Sequence, residues 1–344
     1  MKQNPNYAEC SRREFLGKMT AGSITVLMAA TSPFGRLFAM RTPEQEMEYA
    51  CQFRSVSVDH VKEVQDWFES LKRDKKLGTN PAFQSYISFG FDPGKIMKSA
   101  RSLIIMSRQY GLASVTFKYH GKDIVVLVPS GYWEDYFSFD TAKALIRKNL
   151  FQGREVPLEW SKLPLKTMAV RSGLAEYGLN NITFVKQFGS YHQLLGFYTD
   201  QEMEDQWGPL KTMRFCKGCS ICKNGCPTKC IRDEEFVVDI DHCLTLYNEL
   251  PDAFPEWLPE SIHHTLVGCL KCQWDCPANA GQNSKIQNLA TLIEEETALI
   301  LNQSKNEKIQ KQIQDKLKQQ FPSVENFDYF SRNARLALKN LIVS

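Results

Sequence analysis

The residues able to do chemistry are concentrated in one part of the chain. Eleven cysteines occur in 344 residues, and nine of them fall between Cys216 and Cys276. The stretch "CKGCSICKNGCPTKC", residues 216 to 230, holds five. A tetrahedral metal site or a cubane iron–sulfur cluster takes four thiolates. One of the five is therefore surplus, and the other four need not serve one cluster.

The spacing narrows the chemistry. Cys216, Cys219, Cys222 and Cys226, followed by Pro227, read CxxCxxCxxxCP, the spacing of bacterial two-cluster ferredoxins. Two-residue gaps let a tight loop wrap three corners of a cubane, and the fourth cysteine serves the other cluster. A second run is required, and "CLKCQWDCPAN" supplies Cys269, Cys272 and Cys276 before Pro277. It is one ligand short, and Cys243 in "DHCLTLYNE" completes it. The expected ligands are Cys216, Cys219, Cys222 and Cys276 for one 4Fe-4S cluster, and Cys226, Cys243, Cys269 and Cys272 for the other. A zinc ribbon would use the CxxC pairs but leave both x3-C-P extensions unexplained. Cys230 is left over and reads as a small buried hydrophobe.

The compartment bears on whether these thiols are free. "SRREFLGKM" places Arg12 and Arg13 ahead of an uncharged stretch that lasts until Arg36, and it resembles a twin-arginine export signal. The segment is too short and polar for a membrane span. Export to the periplasm or the outer face of the cytoplasmic membrane would ordinarily suggest disulfides. The twin-arginine route carries folded proteins, so a cluster can occupy the thiolates before export. Forty-two basic against 39 acidic side chains, a net charge of +3, leave no overall electrostatic footprint for nucleic acid. No nucleic-acid partner is expected on that ground.

The cysteine runs, together with "HCLTLYNE", resemble the iron–sulfur module of the epoxyqueuosine reductases and the related reductive dehalogenases. Upstream, "LPLKTMAVRSGLAEYGLNNITFVKQFGSYHQLLGFYTD", residues 163 to 200, is similar to that family's GLG-x-x-GK-N stretch and its later GS and TD. The tail "FDYFSRNARLALKNLI" resembles the helical C-terminus of the epoxyqueuosine enzymes. The resemblance implies a corrinoid, cobalamin bound base-off, whose cobalt is fed by the clusters. Such clusters reach potentials as low as about −700 mV. It also implies cofactor-binding roles for Gly178, Asn180, Gly189 and Ser190. The family's acid falls on Glu159, with Glu155 as its competitor, and a dehalogenase-type tyrosine donor would be Tyr177 or Tyr191. Leu179 stands where the family has a basic residue, so a cationic donor is missing there.

These residues need a scaffold. "VDHVKEVQDWFESLKR" (58 to 73) and "DTAKALIRKNLF" (140 to 151, capped by Asp140 or Thr141) read as helices. Residues 102 to 107, 123 to 129 and 181 to 185 read as strands. Residues 283 to 320 read as polar and helical, with "KNEKIQKQIQDKLKQQ" a solvated face. The fold class is α+β, an α/β sandwich with a nitroreductase-like corrinoid-binding part, followed by a ferredoxin-like double 4Fe-4S module and a helical C-terminus. The divisions are 1–40 (signal), 41–205 (corrinoid-binding domain), 206–285 (cluster domain) and 286–344 (helical segment).

The reading that follows is an exported corrinoid-dependent reductase of the dehalogenase kind. It acts on a small organic substrate and is fed by an electron donor at the membrane. An epoxyqueuosine reductase acting on tRNA and a non-catalytic 4Fe-4S electron carrier are the alternatives.

Overall fold

The computed structural model describes residues 50–135, 137–232, 237–282 and 286–343. The twin-arginine stretch and Cys10 lie outside the described residues. The strands are β1 (Cys51–Ser57), β2 (Ser102–Gln109), β3 (Leu112–Tyr119), β4 (Lys122–Val128), β5 (Glu159–Trp160), β6 (Ala175–Tyr177), β7 (Thr183–Val185), β8 (His192–Thr199) and β9 (Ile286–Leu292). The helices are α1 (His60–Arg73), α2 (Pro81–Tyr86), α3 (Pro93–Ile96), α4 (Phe139–Leu150), α5 (Leu165–Arg171), α6 (Ile221–Gly225), α7 (Leu244–Glu249), α8 (Lys271–Trp274), α9 (Glu294–Leu301), α10 (Glu307–Leu317) and α11 (Phe327–Val343).

Side-chain alternation along β2 explains its central place. Leu103 and Ile105 enter the core formed with α1 and α5, whereas Ile104 and Met106 enter the opposite core with α4. All four are fully buried, and each burial is worth about 1.5–3 kcal/mol. The sheet runs β1-β2-β8-β5, and every pairing in it is antiparallel. A second sheet, β4-β3-β9, joins β3 to β9 in parallel. β6 and β7 form a small hairpin.

Several expectations need correction. "IQNLATL", read as helical, is the strand β9, because β3 offers it a parallel edge and Leu289 and Leu292 join the core. α4 is capped by Ser138, whose hydroxyl accepts from Thr141 N at 3.0 Å, rather than by Asp140 or Thr141. α10 is solvated on one face only, since Ile309, Ile313 and Leu317 are buried in the core behind β3. Residue 286 is consequently no domain break: β9, α9, α10 and α11 complete the core that β3 and β4 begin, and residues 49–344 cluster as one unit.

α11 also supports the cysteine segment. Asn333 Nδ2 donates to the carbonyls of Asn248 and Leu266 at 3.0 Å each, and Tyr329 donates to the Asn248 carbonyl at 2.7 Å. Asn248 Nδ2 in turn donates to Gly268 O at 2.8 Å. These bonds tie the stretches bearing Cys243 and Cys269 to a long, well-buried helix. Among the described residues no helix is long and apolar enough to cross a membrane.

Candidate metal centre

The cysteine loops are built from one-turn helices that stop at prolines. α6 carries Cys222 and α8 carries Cys272. The residue before a proline is pushed out of helical backbone. Cys226 (φ −69°, ψ 116°) and Cys276 (φ −68°, ψ 120°) are both extended for that reason. Each x3-C-P cysteine thus leaves the turn that holds the preceding thiols of its run.

The ten described cysteines are free thiols, and those of the two runs sort into two neighbourhoods. Burial raises the Cys222 thiol to about 11, and the charges of Cys276, Cys216 and Cys219 add to the rise. Cys276 is raised by burial and likewise senses Cys216 and Cys219. One small cavity is lined by the thiols of Cys216, Cys219, Cys222 and Cys276 together with Leu179, Phe184 and Phe215. In the second neighbourhood, burial raises Cys269 to about 12, with Cys243 and Cys226 adding to it. Cys272, raised well above the ordinary thiol range by burial, senses Cys269 and Cys243 most strongly among the thiols.

This grouping crosses the two runs, and the donor set fits 4Fe-4S clusters. Among the described residues no three Cys, His, Asp or Glu side chains converge on a single ion. A cubane binds each thiolate at a different iron, so its ligands stand apart.

Cys230 is chemically distinct from its neighbours. It is buried, and hydrogen bonds from its thiol hold Cys226 down to about 5 and Cys243 below the usual thiol range. Its own pKa is pushed far up. Cys230 is thus the hydrogen-bond partner of two of the expected iron ligands, Cys226 and Cys243.

The residues expected to meet the cofactor sit at the seam between the sheet and the cysteine loops. Asn180 Nδ2 donates to Cys272 O at 3.0 Å, and its Oδ1 accepts from Ile182 N at 3.2 Å. A side chain at Gly178 would strike Asn180 Oδ1 and Phe184. Gly189 adopts φ +60°, and any Cβ there would collide with Asn279 Oδ1. That oxygen accepts from Ser190 N at 2.8 Å, and Asn279 Nδ2 donates to Ser190 Oγ at 2.8 Å. The seam thus occupies the close approach that glycine permits. Leu179 packs against the apolar group containing Cys226, Cys230 and Cys243.

The expected proton donors are dispersed. Tyr177 is a core residue bonded to Thr167 Oγ1 at 3.1 Å, and burial raises its hydroxyl to about 12. Tyr191 is buried, and burial raises its pKa. Glu159 is exposed on the edge strand β5, opposite Tyr198. Glu155 pairs with Arg147 at 3.0 Å.

Near Cys243 lie groups that were not singled out, since its charge bears on both Lys166 and Tyr132. Tyr132 donates to Glu249 Oε1, and its ring lies where a Cβ on Gly268 would come within 3.0 Å. Burial raises Glu249 above the ordinary carboxylate range. Tyr86 is 77% exposed, yet protein around it and the charge of Glu249 raise its hydroxyl. Lys166 is reached by solvent, yet the surrounding protein lowers it to about 8, against the charge of Cys243. Its ammonium donates to Asn181 O at 3.0 Å and Oδ1 at 3.2 Å. The only sequence signal was that Glu249 closes the "LTLYNE" run after Cys243.

Residues 215–279 match the family model of the 4Fe-4S double cluster binding domain. They are an iron–sulfur cluster-binding domain. The epoxyqueuosine reductase of Lactococcus garvieae is 31% identical over 117 residues, which is 34% of this chain and 32% of that protein. That of Bacillus subtilis is 21% identical over 258 residues, 70% of this chain and 64% of that one. The first of these matches thus spans about a third of its curated relative. The solved epoxyqueuosine reductase of Streptococcus thermophilus shares the fold, with TM-score 0.59 and 18% identity over 84% of this chain and 77% of that one. Another, solved with an epoxyqueuosine-modified tRNA stem loop, gives TM-score 0.58 at 17% identity over the same shares. A tetrachloroethene reductive dehalogenase of Desulfitobacterium hafniense matches over only 69 residues, 20% of this chain and 12% of that protein.

These likenesses overturn two expectations. The exported dehalogenase acting on a small organic substrate gives way, because the extended matches in sequence and fold are to epoxyqueuosine reductases. The exclusion of nucleic acid falls as well, since a protein of this fold is solved with a tRNA stem loop. Net charge was a poor guide because it sums the whole surface, whereas an RNA contact needs only a local patch.

Proposed function

We propose that this protein is an iron–sulfur oxidoreductase of the epoxyqueuosine reductase kind, reducing a modified nucleoside in tRNA. The observation that carries the reading is the sorting of thiols across the two cysteine runs. Cys216, Cys219, Cys222 and Cys276 would hold an outer cluster. Cys226, Cys243, Cys269 and Cys272 would hold an inner one.

Lys166, Tyr132 and Glu249, polar groups near Cys243, would adjoin a corrinoid held beside the inner cluster. A bound corrinoid would supply a low-potential metal centre that delivers electrons to carbon. The chain's own residues do the rest. Reductive removal of an epoxide oxygen takes two electrons and two protons and releases water. Glu249, held by the Tyr132 hydroxyl and raised by burial, retains a proton to higher pH than a free carboxylate and would serve as the acid. Lys166 brings a positive charge from α5 to the turn where Leu179 replaces the related enzymes' basic residue, and it fixes that turn through Asn181.

The test is anaerobic reconstitution with iron, sulfide and cobalamin, followed by incubation with an epoxyqueuosine-modified tRNA stem loop. About eight irons per chain, retained cobalt and a nucleoside that loses one oxygen by mass spectrometry support the proposal. Full loading with an unaltered nucleoside sinks it. Iron without cobalt retention favours the electron carrier. Arg12 and Arg13 carry a separate proposal, delivery by the twin-arginine route. Lysine at both positions should change the protein's location in fractionated cells, and an unchanged location rejects the signal.

A further inference from the structure

We propose that the face around Phe215 and Ile221 is the docking surface for an acidic, one-electron carrier protein. The inference rests on the two-cluster reading above.

Phe215 and Ile221 are 45% and 42% exposed, unusual for large apolar side chains, and both line the cavity that holds the four outer thiols. The stretch of chain that carries them is charged with one sign, although Asp275, exposed beside Cys276, is acidic. Between Gln206 and Lys229 the sequence has five basic residues and no acidic one. Lys211, Arg214 and Lys217 are all exposed, and Lys217 lies next to Cys216. An apolar centre with a cationic rim is the anatomy of a small transient interface steered by a partner of opposite charge.

The position favours an electron donor over RNA. A donor must come close to the outer cluster, and this face covers its ligands. The substrate is served from the other cluster, near whose ligand Cys243 stand Lys166 and the Tyr132–Glu249 pair. Donor and substrate can then be bound together. Each docking event moves one electron from the carrier's reduced centre to the oxidised outer cluster, with no proton transferred. Two events supply the removal of one oxygen.

The experiment uses the reconstituted protein, with iron content and the reduced-cluster EPR signal recorded first. Their absence means failure of the cluster reading rather than of the docking surface. Reduction is then followed by stopped flow, with a reduced acidic [2Fe-2S] ferredoxin as one donor and photoreduced deazaflavin as the other. The ferredoxin rate constant should fall about tenfold between low and high salt. The triple variant Lys211→Glu, Arg214→Glu, Lys217→Glu should lose about tenfold at low salt, with the deazaflavin rate unchanged. Phe215→Ser should weaken reduction by ferredoxin at every salt concentration.

A ferredoxin rate that ignores salt overturns the proposal, as does a triple variant reduced like the wild type. A triple variant that keeps the ferredoxin rate but no longer retains the tRNA stem loop assigns the face to RNA instead. Should the triple variant lose iron, the salt dependence of the wild type decides.

Discussion

The Cys230 sulfur lies 3.5 Å from that of Cys226, and the hydrogen bond between them holds Cys226 below the usual thiol range. A thiol that stays protonated beside a cluster thiolate withdraws charge from the metal and raises its potential. Cys230→Ala should therefore keep the iron but shift the inner cluster negative. One hydrogen bond of about 1 kcal/mol corresponds to a shift on the order of 40 mV. Cys226→Ala should lose that cluster's iron altogether. An EPR-monitored redox titration checks both, and an unshifted potential in Cys230→Ala rejects the role.

The proton donor can be assigned by two substitutions. Glu249→Gln should keep iron and cobalt and slow turnover by about 10²-fold or more, whereas Glu159→Gln should leave it near that of the wild type. Burial raises Glu249, and it must be protonated to donate. Activity should thus be highest below its raised pKa and decline as pH rises through it, and the decline should vanish in Glu249→Gln. Single-turnover rates against pH decide, and the reverse ranking would return the role to Glu159.

Arg108 is 2% exposed and sits at the end of β2. Its guanidinium meets Asp135 through both oxygens, at 2.5 and 3.0 Å, and Gln193 Oε1 at 2.6 Å. Asp135→Ala removes the carboxylate from a buried cation and should cost about 3–5 kcal/mol. Arg108→Met, which removes the charge itself, should cost less. Denaturant unfolding compares them, and equal losses would show that the pairing is not what matters.

His263 is 1% exposed, its ring tilted against that of Phe254 with centroids 4.4 Å apart, and its Nδ1 lies 2.9 Å from Asn248 Oδ1. Burial lowers its pKa from 6.5 to about 4. The unfolded chain therefore takes up the proton first as pH falls, so stability is full above pH 6.5 and drains away below it. Between pH 6.5 and 5.5 the loss should be about 1 kcal/mol. His263→Gln should remove this dependence, and unfolding midpoints across the window measure it.

The sheet strands β2 and β4 and the helix α1 were legible because burial imprints local periodicity on a run of residues. β9 was not, because "IQNLATL" has little pattern of its own and becomes a strand only where β3 presents an edge. Gly178, Asn180, Gly189 and Ser190 were visible as a group. Their work at the seam with Cys272 and Asn279 was not, since those partners lie about ninety residues away.

The sequence by itself determined the cluster chemistry. Two-residue gaps and a following proline are local rules, and they dictate how many thiolates a loop can present and which one must leave it. Only the tertiary structure decided that Cys230 is bonded to Cys226, that Glu249 is bonded to Tyr132 while Glu159 lies exposed on an edge strand, and that Leu179 packs against the group around Cys226 and Cys230. Those facts depend on burial and on the meeting of α2, α5, α7 and the loop after β4, and no spacing along one chain records such a meeting.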